Sequence, residues 1–172
     1  DRALLQDAAV LGQSFSVAGL ASVSGRGAAD VEARLRALAR REVVALITDP
    51  RSPERGSWMF GQALIREVAY GTLAKRERRA RHLAAARYFE ASEGPEVAGA
   101  LAFHYLDAYR SAPEGPEGEA VAGQARIALR AAADRAAALG SHELALAYLE
   151  SALEVTTDPA EEADLHLRAA AS

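Results

Sequence analysis

The chain has 172 residues, half of them hydrophobic and 6% aromatic, enough to bury one sizeable core or two small ones built mostly from Ala, Leu and Val. Zero cysteines exclude disulfides and thiolate zinc sites, and the net charge of −4 is unevenly spread: residues 1–90 carry 15 Lys and Arg against 10 Asp and Glu (+5), residues 91–172 carry 5 against 14 (−9). No apolar run approaches a membrane span and no basic-then-apolar leader is visible, so we expect a cytoplasmic globular protein without a membrane partner.

Leu4, Leu5, Ala8 and Leu11 recur at helical spacing and predict a first helix ending near Gly12. Ser16 is placed to cap a short second helix over 17–23, residues 24–27 read as a turn, and Asp30 opens a third helix that buries Val31, Leu35 and Leu38. The β-branched run VVALIT at 43–48 and residues 57–60 predict two short strands joined by the turn-rich DPRSPERG. Three helices and then a hairpin is the order of a winged helix, in which the third helix reads DNA when DNA is read.

Residues 60–73, FGQALIREVAYGTL, predict a two-faced helix. Phe60, Leu64 and Val68, with the offset row Ile65, Ala69 and Leu73, are assigned to the core, and Gln62, Arg66 and Tyr70 to the opposite face, where function would sit. A basic run at 75–81 follows, then a helix over 78–91 broken by Gly94 and Pro95. Val97, Leu101, Tyr105 and Tyr109 mark another helix, closed by a loop at 112–118, and Val121, Ala125, Leu129, Ala132, Ala136 and Leu139 mark a long one ending at Gly140.

Residues 139–159 resemble the second half of a tetratricopeptide repeat, with Gly140 at the turn, Ala145 and Ala152 at the small crossing positions and Leu149 at the large apolar one. The first half departs from that pattern: Ala133 and Ala136 replace the usual Gly and aromatic, and Thr157 stands where Pro is expected. Asp158, Pro159 and Glu161 supply a cap, a first-turn Pro and a capping-box acid for a last helix.

Chemistry is sparse. No GKS or GKT phosphate loop occurs, Gly25–Asp30 lacks the last Gly of a dinucleotide loop, and residues 12–16 lack the final Gly of a nucleophile elbow. His82, His104, His142 and His166 lie on separate predicted helices without metal-ligand spacing, and Glu161 and Glu162 read as helix-dipole acids. We assign no catalytic residue and no metal. Arg34, Arg36, Arg40 and Arg41 near the third helix, with Lys75, Arg76, Arg78, Arg79 and Arg81, could neutralise phosphates, but Glu32, Glu42, Glu67 and Glu77 are interleaved, so nucleic-acid binding is the minor reading.

The ordered phrases LLQDAAVLGQSFS, VEARLRALARREVVAL, FGQALIREVAYGTL, RHLAAARYFE, HYLDAY and LGSHELALAYLESALE resemble a region of bacterial signal-transduction ATPases with numerous domains, the STAND class, of the kind fused to class III adenylyl or guanylyl cyclase domains. The resemblance implies a mainly α excerpt of a larger regulator, with a winged-helix-like domain at 1–74 and a tetratricopeptide-like helical region at 75–172, truncated at its C-terminus. It implies an upstream nucleotide-binding core of the same chain as partner, on which Gln62, Arg66 and Tyr70 dock, and a protein or small effector on the helical repeats. ATP or ADP and magnesium would belong only to the absent parent domains, with no cofactor in this segment. Such relatives often carry His where Gln62 stands, at an edge that can contact ADP phosphates; Gln donates a hydrogen bond but cannot become cationic. The alternatives are a DNA-binding regulator using Arg34, Arg36, Arg40 and Arg41, and an oligomerisation scaffold.

Overall fold

The apolar stripe expected near the start forms α1, Arg2–Leu11, with Leu4, Ala8 and Ala9 fully buried. A computed structural model describes residues 1–94, 97–112 and 114–171 of the chain. It is mainly helical with a small antiparallel sheet, and its contacts divide it into two units, Asp1–Tyr88 and Phe89–Ser172. Among the described residues no helix is long and apolar enough to cross a membrane.

In the first unit, Ser16 caps α2 (Val17–Ser24) by accepting a hydrogen bond from the Gly19 amide at 3.0 Å, and Gly25 ends that helix in the left-handed conformation. Helix α3, Ala28–Ala39, buries Val31, Leu35 and Leu38 as its spacing predicts. The sheet has one strand more than the sequence suggests: β1 (Ser14–Phe15) joins β2 (Val44–Leu46) and β3 (Trp58–Phe60) in the order β1-β3-β2. Phe15 pairs with Trp58 and Val44 with Phe60, all four buried, while Met59 between them faces outward. That alternation puts one face of the sheet on the core, where the Phe15 and Phe60 rings meet edge to face at 5.6 Å. Full burial of side chains such as Leu20, Leu35 and Phe60 contributes about 2 kcal/mol each.

The hairpin closes against a tight backbone crossing. A Cβ on Gly61 would lie 2.6 Å from the Glu42 carbonyl oxygen, and the Gly61 amide bonds the Val43 carbonyl at 3.0 Å. Glu42 itself sits at φ 58°, a conformation that non-glycine residues adopt at some cost in strain.

Two expectations need correction. The predicted helix over 60–73 is shorter: Phe60 belongs to β3, and α4 runs Ala63–Gly71 with Leu64 62% and Val68 58% exposed. The core side of α4 is Ile65 and Ala69 with Tyr70 beside them, and Leu73, just past the helix end, is buried as expected. The loop placed at 112–118 is also too long, because α7 starts at Gly115 with Pro116 in its first turn, a position that suits a residue lacking an N–H. Pro113 and Pro95, assigned to breaks, lie outside the described residues; Gly94 has φ 149°.

Helix α5, Lys75–Glu90, carries the chain from the first unit into the second. There α6 (Val97–Ser111), α7 (Gly115–Ala138), α8 (His142–Leu153) and α9 (Pro159–Ala171) pack each against the next. Small side chains dominate the interior of this unit: Ala125, Ala132, Ala136, Ala145 and Ala152 are all buried, as are Leu129 and Leu149. Leu139, assigned to the same face, is instead 65% exposed. Helix α9 begins where Asp158 accepts from the Ala160 amide at 3.0 Å. Three ion pairs tie α7 to α9: Arg126 to Glu161 (3.3 Å), Arg130 to Asp164 (3.9 Å) and Asp134 to Arg168. Both members of successive pairs advance along the sequence together, so the two helices run parallel.

His104 on α6 is 1% exposed, stacked on Phe89 with ring centroids 5.4 Å apart and met edge-on by Phe103 at 5.0 Å. Burial pushes its pKa down to about 4 from 6.5. The neutral form is therefore favoured in the fold; stability is complete above pH 6.5 and falls as pH drops through that window, by roughly 3 kcal/mol in all at about 1.4 kcal/mol per pH unit. Urea midpoints measured from pH 7 to 4 should fall more steeply for the native chain than for His104→Gln. Gly61→Ala should cost about 2 kcal/mol or more in urea denaturation, since no rotamer relieves a contact with backbone oxygen.

Candidate functional site

Helix α4 and the residues around it form the most distinctive surface of the first unit. Its orientation is set by polar bonds. Arg66, half-buried, donates from Nε to the Ala9 carbonyl on α1 at 3.2 Å, and Tyr70 shares a 2.9 Å hydrogen bond with Nε2 of the fully buried His82 on α5. Two guanidinium groups lie over the Tyr70 ring, Arg78 with Cζ 4.5 Å and Arg66 with Cζ 5.9 Å from its centroid. A further tie joins α1 to α5, where Arg81 Nε donates to Asp7 Oδ1 at 2.7 Å in a setting with little solvent. Burial raises the Asp7 pKa, while the hydrogen bond and charge of Arg81 pull it back. Protonated Asp7 is thus favoured in the fold relative to the unfolded chain, and its contribution to stability falls as pH rises through the raised value.

Arg66 and Tyr70 are therefore brought together, but as internal anchors; Gln62 stands apart from them, exposed ahead of the first turn of α4. What α4 presents outward is apolar. Leu64 and Val68 are exposed, and Val68 also lines a recess of about 330 Å³ with Leu5, Leu38, Val43, Ile65 and Ala69. Asp1, Arg2 and Arg41 are its charged lining residues. Periodicity placed Leu64 and Val68 in the core because it cannot distinguish two adjacent apolar rows on a short helix.

The other residues singled out from the sequence are spread over both units. Arg34 is held by Asp30 at 3.0 Å and lies 3.9 Å from Asp1, and Arg36 is held by Glu32 at 2.6 Å. Hydrogen bonding and charge from Arg34 hold the Asp30 carboxyl below its usual value. Arg40 and Arg41 are exposed. Of the repeat positions, Gly140 turns the chain at φ 74°, and Ala145, Leu149 and Ala152 are buried. His142 and His166 are exposed, and among the described residues no group of His, Asp or Glu is placed to hold a metal.

Comparison with known protein families, curated proteins and solved structures finds no match to this chain.

If these bonds anchor the helix, Tyr70→Phe should lower stability by about 1 kcal/mol and Arg81→Met by about 2 kcal/mol in chemical denaturation, the latter because it strands a carboxylate with little water around it. A carbon-detected titration should show Asp7 moving further upward in the Arg81→Met chain.

Proposed function

We propose that this chain is a non-catalytic regulatory and interaction segment of a larger STAND-type signalling ATPase, of the kind joined to adenylyl or guanylyl cyclase domains. In this reading the first unit is a winged-helix-like module and the second a tetratricopeptide-like array. The nucleotide, ATP or ADP with magnesium, belongs to a core encoded upstream. The segment couples the state of that core to an output elsewhere in the parent, in the cytoplasm.

Several features support the reading. The element order α1-β1-α2-α3-β2-β3, with β3 central in an antiparallel sheet, suits a winged helix better than the two-strand hairpin expected from the sequence. In the second unit the α7–α9 ion pairs join residues 34 or 35 positions apart, and the tetratricopeptide period is about 34 residues. The observation that carries an interaction role is the outward apolar face of α4: Leu64 and Val68 stand exposed on a helix whose polar residues Arg66 and Tyr70 are turned inward. Docking on the core is therefore assigned to Leu64 and Val68 with the neighbouring recess, and Arg66 and Tyr70 hold that face in position. The DNA-binding alternative loses ground, since two of its four arginines, Arg34 and Arg36, are already engaged with carboxylates of their own helix.

The test is a calorimetric titration of this chain into the separately expressed nucleotide-binding core of its parent. Leu64→Asp with Val68→Asp should weaken association about tenfold or more, while stability changes by less than about 0.5 kcal/mol because both positions are exposed. Undiminished association of the double variant would remove α4 from the interface.

A further inference from the structure

The second unit is strongly acidic, yet one of its arginines has no carboxylate. Of the five, Arg110 pairs with Glu154 and Asp107, Arg126 with Glu161, Arg130 with Asp164 and Arg168 with Asp134. The side chain of Arg135 alone has no ion pair or hydrogen bond among the described residues. With residues 91–172 at a net −9, a guanidinium left uncompensated is the exception.

Arg135 lines a pocket of about 430 Å³ between α6, α7 and α8, within the range of about 300–1,000 Å³ usual for small-molecule sites. Its other walls are mostly apolar and include Phe89, Ala136, Leu139 and Leu144. Leu139 and Leu144 are 65% and 49% exposed, large apolar side chains that line this pocket. Ser141 and Tyr148 are the other polar residues in the wall, and the Tyr148 hydroxyl has no hydrogen-bond partner among the described residues. That hydroxyl reaches a place only glycine leaves open: a Cβ on Gly99 would lie 2.8 Å from it.

We propose that this pocket binds a small apolar carboxylate, such as a medium-chain alkanoate or an arylalkanoate. The carboxylate is held by the Arg135 guanidinium and the Tyr148 hydroxyl, and the hydrocarbon body lies against Leu139, Leu144 and Phe89. A single cation in an acidic unit matches one negative charge and disfavours phosphates and other polyanions. Treating the ligand as an effector rests on the regulatory reading above, whereas the binding is read from the pocket itself. Failure to bind and failure of the α4 docking titration are thus separate results.

Decanoate, decanol and decylamine are titrated, below micelle-forming concentrations, into the ¹⁵N-labelled full chain. Decanoate should saturate with shifts concentrated at the amides of Gly99, Arg135 and Tyr148, and decanol should bind about tenfold more weakly, with decylamine weaker still. Arg135→Met should weaken decanoate about tenfold while sparing decanol, and Gly99→Ala should weaken both by displacing the phenol. Equal binding of decanoate and decanol, or decanoate affinity unmoved by Arg135→Met, would overturn the proposal. So would saturation of the pocket by a leucine-terminated tetrapeptide when decanoate does not bind. Should the Arg135 variant fail to fold, the comparison of decanoate with decanol on the native chain decides alone.

Discussion

The Tyr70–His82 hydrogen bond is the contact on which the first unit's surface depends. A short helix with apolar residues in two adjacent rows could bury either row, and burial alone favours Leu64 with Val68 over Ile65 with Ala69 by two carbons, roughly 1.6 kcal/mol. The polar side chains reverse that preference. Arg66 reaches the Ala9 carbonyl of α1, and Tyr70 reaches His82, which is buried and must be hydrogen-bonded. Once those groups face inward, Leu64 and Val68 have only the outer surface left. The exposed apolar face is thus a by-product of satisfying buried polar atoms, which is a sounder basis for an interaction surface than a stray leucine.

The second unit follows a different rule. Its helices approach closely because alanines stand at the crossings, and its arginines are drawn into pairs with a surplus of carboxylates. Most of those pairs are substantially exposed and contribute little stability apiece. Their value lies in register: pairs one helical turn apart along α7 meet α9 in step, so a slip of either helix would break all of them together. Against that uniform pairing Arg135 stands out.

Much of the architecture could be read from the sequence where a local interaction decides it. Ser16 and Asp158 cap the helices they precede, and the stripe Val31, Leu35, Leu38 is buried as spaced. Reading failed where the partner is distant. Strand β1 is only two residues long, too short for any alternation to show, and is held by β3 some forty residues away, with Gln13 extending the pairing through both its side chain and its carbonyl. The face of α4 was inverted for the same reason, since neither Ala9 nor His82 lies within a helical turn of it. The Gly115–Pro116 start of α7 carried a usable signal, a proline suited to a first turn, hidden by its likeness to a loop. Arg135 belongs to no motif; only matching each arginine of the acidic half to a carboxylate about one repeat away would have set it apart.

The alanine contacts of α7 and α8 have a mechanical consequence. In the first unit Phe15 and Phe60 interlock, so any displacement there drives rings into one another. Alanine methyl groups offer fewer such teeth than rings, so where they line a helix contact a small sliding exchanges one weak dispersion contact for another at little net cost. Within the second unit a small shear between α7 and α8 therefore costs little, whereas the ion pairs keep α7 and α9 in step.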